Sequence, residues 1–196
     1  MTRLIAVIAL VLSVATLQVL GGATELTESN FEAQLDGKSS LVMFKAPWCG
    51  HCKKMTPAFD AVADEVNTDS TQLAFVDCTV HKDLCSKHGV TGYPTLKVFD
   101  SETGTDEGRA YSGGRDESAL RQFAQENLKP KCKVTEQDGC SDKEKDYIKK
   151  MKDSAQADLQ SSLDRLEKMK GNSMAADLKK WLNQRVAILK ELLATK

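Results

Sequence analysis

Two cysteines separated by a glycine and a histidine, Cys49-Gly50-His51-Cys52, lie behind a proline and Trp48 in the stretch FKAPWCGHCKK, residues 44–54. A thiol pair at this spacing has three chemistries open to it: reversible dithiol–disulfide exchange, half of a tetrahedral metal site, or one arm of a structural staple. The residues around the pair favour exchange. A helix is expected from about Gly50 to Val66, so Cys49 stands just ahead of its first turn. Unpaired backbone N–H groups and the positive end of the helix dipole then point at its sulfur and stabilise the thiolate. A protonated His51 adds a positive charge nearby. Cys52, one turn into the helix, is the more buried of the two and suits resolving a mixed disulfide. Favouring the thiolate also makes the disulfide form more oxidising, because reduction yields a stabilised product. Zinc would need two further ligands in matching geometry.

A second feature bears on the same pair. VTGYPTL places Tyr93–Pro94 just before an apolar run. An ordinary trans proline entering a strand is one reading. A cis peptide, which is essentially confined to proline, would instead bring this backbone against the cysteines.

The elements that must position these residues follow from periodicity and punctuation. ELTESNFEAQL reads as a short edge strand and a helix capped near Thr27 or Ser29, and SLVMFKA (40–46) as a central strand buried on both faces. Pro57 falls inside the Gly50–Val66 helix and is expected to kink it. QLAFVDC (72–78) is a second buried strand, followed by a short helical stretch from His81 to His88. TLKVFD (95–100) and GRAYSG (108–113), joined by the turn-rich SETGTDE, read as an antiparallel hairpin. RDESALRQFAQENL closes the region as a helix with Leu120, Phe123 and Ala124 on one face. The order βαβαβαββα implies an α/β layered fold over residues 24–128.

KPKCKVTEQDGCSDKEKDY is a polar hinge, with the linker placed at 129–141. Residues 142–196 read as an all-α helical bundle. Ser141-x-x-Glu144 makes a capping box. The first helix presents Tyr147, Ile148 and Met151; the second Leu159, Leu163, Leu166 and Met169; the third Leu178, Trp181, Leu182, Leu189, Leu192 and Leu193. These faces are expected to form a common core, with a binding groove or dimer surface as the other use for them.

The 196-residue chain is 41% apolar and 28% charged, and its net charge of -1 offers no electrostatic reason for a nucleic-acid partner. From Lys131 onward 13 lysines and two arginines face 11 acidic residues, about +4, read as a solvated helical surface. Arg3 followed by LIAVIALVLSVATLQVL and ending at Gly21-Gly22-Ala23 reads as a secretory signal, residues 1–23. A retained membrane anchor is the alternative. After cleavage no membrane association is expected, and disulfides should persist in the oxidising compartment. The six cysteines fall as three local pairs, and pairing within each is the simplest of 15 arrangements. Cys78 and Cys85 fit a structural disulfide, but Cys78-x2-His81-x3-Cys85-x2-His88 also carries zinc-like spacing, and a second redox pair is a further reading. Cys132–Cys140 is expected to staple the hinge.

APWCGHCK, VDCT, GYPTLKVF and YSGGR, in this order and spacing, resemble the catalytic domain of the protein disulfide isomerase family. The resemblance implies a thioredoxin fold over about 24–128 and a thiol–disulfide oxidoreductase or isomerase of the endoplasmic reticulum lumen or the secreted space. No cofactor and no metal are expected. It implies Cys49 as the attacking thiol, Cys52 as the resolving thiol and Pro94 as the cis-proline. It also implies a client surface around Trp48 and Tyr93, and Arg115 as a group that swings toward Cys52 to lower its pKa. The bland reading of Arg115 is an exposed residue at a helix start. Client polypeptides are the expected partners, with a thiol oxidase or glutathione as the redox partner. Two positions depart from the family: Met43 and Phe75 replace a buried glutamate and its lysine, so the proton relay to the second cysteine is expected to be missing. That leaves Cys52 dependent on Arg115 and water. The helical tail resembles, more weakly, the C-terminal helical domain of some isomerase relatives. A chaperone or escort role for that tail, with redox secondary, is the alternative function. The chain ends LLATK, without a Lys-Asp-Glu-Leu-type signal.

Overall fold

In the computed structural model, which describes residues 21–106 and 108–196, five strands form one sheet in the order β1-β3-β2-β4-β5. The leader read from Arg3 onward lies outside the described residues up to position 20. β2 (Ser39–Lys45) is central, with β3 (Thr71–Asp77) parallel on one side and β4 (Thr95–Phe99) antiparallel on the other. β1 (Thr24–Glu25) adds a parallel edge to β3, and β5 (Arg109–Ala110) an antiparallel edge to β4. The hairpin is shorter than its apolar pattern suggests. Asp100 Oδ1 accepts from the N–H groups of Glu102 and Thr103, turning the chain away directly after β4. Gly108 then returns at a φ of +60° with its α-carbon against the Phe99 ring, a fit that leaves no room for a β-carbon.

The sheet is covered on both faces, which is why β2 carries no polar–apolar alternation. On one face α2 (Gly50–Val66) and α4 (Glu117–Asn127) pack Met55, Phe59, Val62, Leu120 and Ala124 over Leu41, Met43 and Leu73. Arg121 of α4 ties these helices together, reaching Glu65 at 2.6 Å. On the other face α1 (Phe31–Leu35) and α3 (Lys82–Lys87) pack Phe31, Leu35 and Leu84 over Val42, Phe44 and Val76. The cap of α1 is displaced from the expected Thr27 or Ser29: α1 starts after Asn30, whose side chain accepts from the Thr27 N–H at 2.8 Å. α2 accommodates Pro57 without interruption.

α5 (Asp142–Met151), α6 (Gln156–Lys170) and α7 (Ala176–Ala194) enclose a separate apolar cluster. Ile148, Leu159, Leu163, Leu166, Leu182, Leu189 and Leu192 are buried in it, with Val186 and Ile188 joining them. Leu178 departs from expectation. It lies in the first turn of α7, outside the cluster, and is 43% exposed. The Glu144 carboxylate accepts from the Ser141 N–H and hydroxyl, closing the start of α5. Cys132 and Cys140 are disulfide-bonded at the hinge. The bundle meets the sheet region through α7, where Asn183 donates to the Glu102 carbonyl at 3.0 Å and Lys180 pairs with the Glu102 carboxylate. Among the described residues no helix is long and apolar enough to cross a membrane.

Candidate active site

The end of β2 delivers the chain into α2 through Ala46–Cys49, and Cys49 becomes the N-cap of the helix. Its sulfur accepts from the Cys52 backbone N–H at 3.2 Å, the role a Ser or Asp oxygen usually fills. Both cysteines are free thiols; Cys49 is 7% exposed and Cys52 2%. Their environments push them apart. The Cys49 thiol is lowered, first by its hydrogen bond with the Cys52 side chain and then, against the opposing effect of burial, by the N–H groups of Cys52 and His51. Cys52 is pushed up to about 11, mainly by burial and by donating to Cys49. Cys49 is therefore the easier of the two thiols to ionise, and Cys52 is held protonated beneath it.

His51 is exposed, and the contribution the structure shows from it is its backbone N–H rather than its ring. At Gly50 a β-carbon would meet nothing within 4 Å, so the outer face of the motif is open to an approaching chain. Trp48 is 70% exposed and meets Tyr93 edge-on at 5.8 Å between centroids. Tyr93 packs on the small cluster of Ala46, Cys49 and Cys52. The Tyr93–Pro94 peptide is cis, and Pro94 is buried at the entry to β4. Thus Trp48, Tyr93 and the cysteine pair come together from two distant stretches of chain. Arg115 does not join them: it is exposed ahead of α4, with no hydrogen bond or ion pair among the described residues.

Met43 and Phe75 are register partners on β2 and β3, with Met43 fully buried. The apolar pair is therefore built in, and no carboxylate stands at that place. A cation does stand nearby. Lys45 carries its ammonium 3.6 Å from the Phe75 ring centroid, and its charge acts to lower the Cys52 thiol against the larger effect of burial. Sequence reading passed over Lys45, although it sits inside the motif. The signal was the period of two: Met43 and Lys45 share a sheet face, the one that α2 and Cys52 cover.

Cys78 and Cys85 are joined by a disulfide between the end of β3 and α3, each 3% exposed. Their thiolates are thus unavailable to zinc, and the two histidines are otherwise occupied. His81 pairs with Glu28. His88, 2% exposed, is ringed by Phe31, Phe44 and Phe99 at centroid distances of 4.7, 5.8 and 5.4 Å. Among the described residues neither ring nitrogen of His88 has a hydrogen-bond partner, and burial pushes its pKa down to about 4.

A five-stranded sheet with helices on both faces, a thiol pair at the start of the helix after its central strand and a cis-proline beside it define the class of dithiol proteins built on the thioredoxin fold. The Thioredoxin family model matches residues 22–126, and the chain belongs to that family. Over 151 residues it is 41% identical to a protein disulfide-isomerase-like protein, EhSep2, of Emiliania huxleyi, covering 75% of this chain and 67% of that one. It is 40% identical to protein disulfide-isomerase 1 of Dictyostelium discoideum over 126 residues, 62% of this chain but only 34% of that protein. The zinc-bound form of human ERp44 superposes with a TM-score of 0.48 at 28% identity, covering 54% of this chain and 30% of that one.

Proposed function

We propose that the chain is a thiol–disulfide oxidoreductase and isomerase acting on client proteins with thiols or disulfides. The observation that carries this reading is the opposed pair: Cys49 capping α2 with a lowered thiol pKa, and Cys52 buried behind it at about 11. In the oxidising direction a client thiolate attacks Cys49 Sγ of the enzyme disulfide, and Cys52 leaves as a thiolate that takes up a proton. A second client thiolate then attacks the client sulfur of the mixed disulfide and expels the Cys49 thiolate. Two electrons pass from client to enzyme. In the reducing direction the Cys49 thiolate attacks a client disulfide and Cys52, once deprotonated, releases the product. Stopping after the first step and letting another client thiol resolve it reshuffles the client.

Trp48 and Tyr93 frame the client surface, Gly50 leaves the approach open and Pro94 forms its edge. Lys45 holds a standing positive charge toward Cys52, and Arg115 adds a second when it swings in from solvent. A thiol oxidase or glutathione restores the disulfide. Residues 1–23 act as a secretory signal, delivering the 24–128 domain, the 129–141 hinge and the 142–196 bundle to the lumen of the endoplasmic reticulum or beyond. The apolar leader and the disulfide-isomerase relatives support that location.

The test is reduction of a model disulfide protein and trapping in the host cell. Cys52→Ser should accumulate mixed disulfides through Cys49 with secretory proteins, and Cys49→Ser should yield none. Wild-type chain that neither reduces nor oxidises a protein substrate, with no trapped species, would overturn the proposal.

A further inference from the structure

The positive charge of the C-terminal region is not spread evenly over the bundle. α5 contributes Lys143, Tyr147 and Lys150 at helical spacing, α6 contributes Arg165, and α7 contributes Trp181 and Arg185 one turn apart. Together with Asp146 and Leu166 these residues line one depression of about 590 Å³. Four cations thus face a single carboxylate. Lys143, Lys150 and Arg165 are exposed and have no hydrogen bond or ion pair among the described residues.

Arg185 is held differently. Its guanidinium lies 4.3 Å from the Tyr147 ring centroid and 4.1 Å from that of Trp181. Its position over two rings holds the guanidinium in place while leaving its N–H groups without a partner among the described residues. Of the acids on α5, Glu144, whose charge acts on Arg185, is committed to Ser141, and Asp146 shares the depression without an ion pair to Arg185. Burial accordingly pushes the Arg185 pKa down, as expected for a half-buried cation without a paired carboxylate. A desolvated, anchored and unpaired guanidinium among further free cations is an arrangement that gains when an anion arrives.

We propose that this depression is a binding site for an acidic segment of a client polypeptide, in which carboxylates flank an aromatic or aliphatic side chain. Arg185 takes one carboxylate in a fork-to-fork contact, Lys143, Lys150 and Arg165 attract its neighbours, and the edges of Tyr147 and Trp181 receive the apolar residue. The volume suits two or three side chains. A nucleic-acid backbone would call for a longer basic track than one pocket. A bilayer would call for an inserted apolar face, whereas these rings are half-buried beneath the guanidinium. The site owes nothing to the thiols, so it would hold a client whether or not Cys49 reacts and would raise its effective concentration at the redox pair.

The test is fluorescence anisotropy of a labelled synthetic peptide, alternating Glu with Leu and Trp, titrated with the full chain. Binding should weaken steeply with salt and fall about tenfold in Lys150→Gln/Arg165→Gln, two charge-assisted contacts being lost. The charge-matched control Lys152→Gln/Lys168→Gln, exposed and outside the depression, should stay within about twofold. Cys49→Ser/Cys52→Ser should bind like the wild type, which separates failure of the redox reading from failure of this one. Equal weakening by both double variants, equal affinity for the all-Gln peptide, or no binding would overturn the proposal. So would full competition by inorganic phosphate at the peptide's own concentration, or preference for a phosphoserine peptide or anionic phosphatidylserine vesicles.

Discussion

Two cysteine pairs stand where a parallel strand hands over to a helix, and they do opposite things. Cys49 and Cys52 follow β2 and are free thiols; Cys78 and Cys85 follow β3 and are bonded to each other. The difference lies in the helix that receives them. α2 runs 17 residues and takes Cys49 as its N-cap, so aligned N–H groups act on one sulfur while Cys52 lies a turn deeper. α3 runs six residues and holds Cys85 in its interior, facing back to the strand end. Proximity alone makes a staple; proximity with unequal environments makes an exchange centre.

The strongest way to break this comparison is to remove each pair. Cys49→Ser should lower turnover with a protein disulfide substrate by about a thousandfold or more, since the nucleophile itself is lost. Cys78→Ser/Cys85→Ser should leave turnover near wild type and cost about 2–3 kcal/mol in urea unfolding, the cost of opening a short loop. A comparable loss of turnover in the second variant would make Cys78–Cys85 a second redox pair.

The packing around α3 sharpens the contrast through His88. Folding holds it neutral with its pKa pushed down to about 4, while the unfolded chain titrates near 6.5. The unfolded state therefore binds the extra proton, and stability is lost as pH falls from about 6.5 toward 4. His88→Phe should flatten that part of the stability profile and add about 1–3 kcal/mol by removing two unsatisfied buried nitrogens. An unchanged acid limb in thermal unfolding at stepped pH would place the sensitive group elsewhere.

Smaller effects probe the thiol pair itself. Lys45 lowers Cys52, so Lys45→Met should raise the Cys52 pKa further and make it a poorer leaving group. Oxidation of a dithiol peptide by the enzyme disulfide should slow by about two- to fivefold, read by stopped flow on Trp48 fluorescence. No change would reduce Lys45 to a partner of the Phe75 ring. Met43→Glu/Phe75→Lys should change the pH dependence of reoxidation; an identical profile would mean that Cys52 does without such a relay.

Much of the site was legible because its physics is local. A thiol ahead of a helix, a partner one turn on and a proline after a glycine-containing turn are features of a few adjacent residues. Hence the placement of Cys49 and Cys52 at the start of α2 is legible in the sequence, whereas the local residues leave Tyr93–Pro94 open between trans and cis and only the family resemblance points to the cis peptide that the structure holds. Thr27 and Ser29 were poorer guides, since Ser, Thr and Asn all suit helix starts and the turn before α1 closes locally, with the Asn30 side chain accepting from the Thr27 N–H. Leu178 shows the same limit: helical periodicity names a face, but only the neighbouring helices decide how far along it is covered.

By itself, then, the amino-acid sequence determined the order of strands and helices, the short-range cysteine pairs and the chemistry at the start of α2. Each depends on contacts within about one or two turns of chain. Tertiary structure alone decided what crosses long separations. It set Lys45 over Phe75, His88 among three phenylalanines and Trp48 against Tyr93. It also gathered cations from three helices of a region whose surplus charge had looked like an ordinary solvated surface. A side chain's charge is written in the sequence; whether that charge is paired, buried or left facing a pocket is a property of everything packed around it.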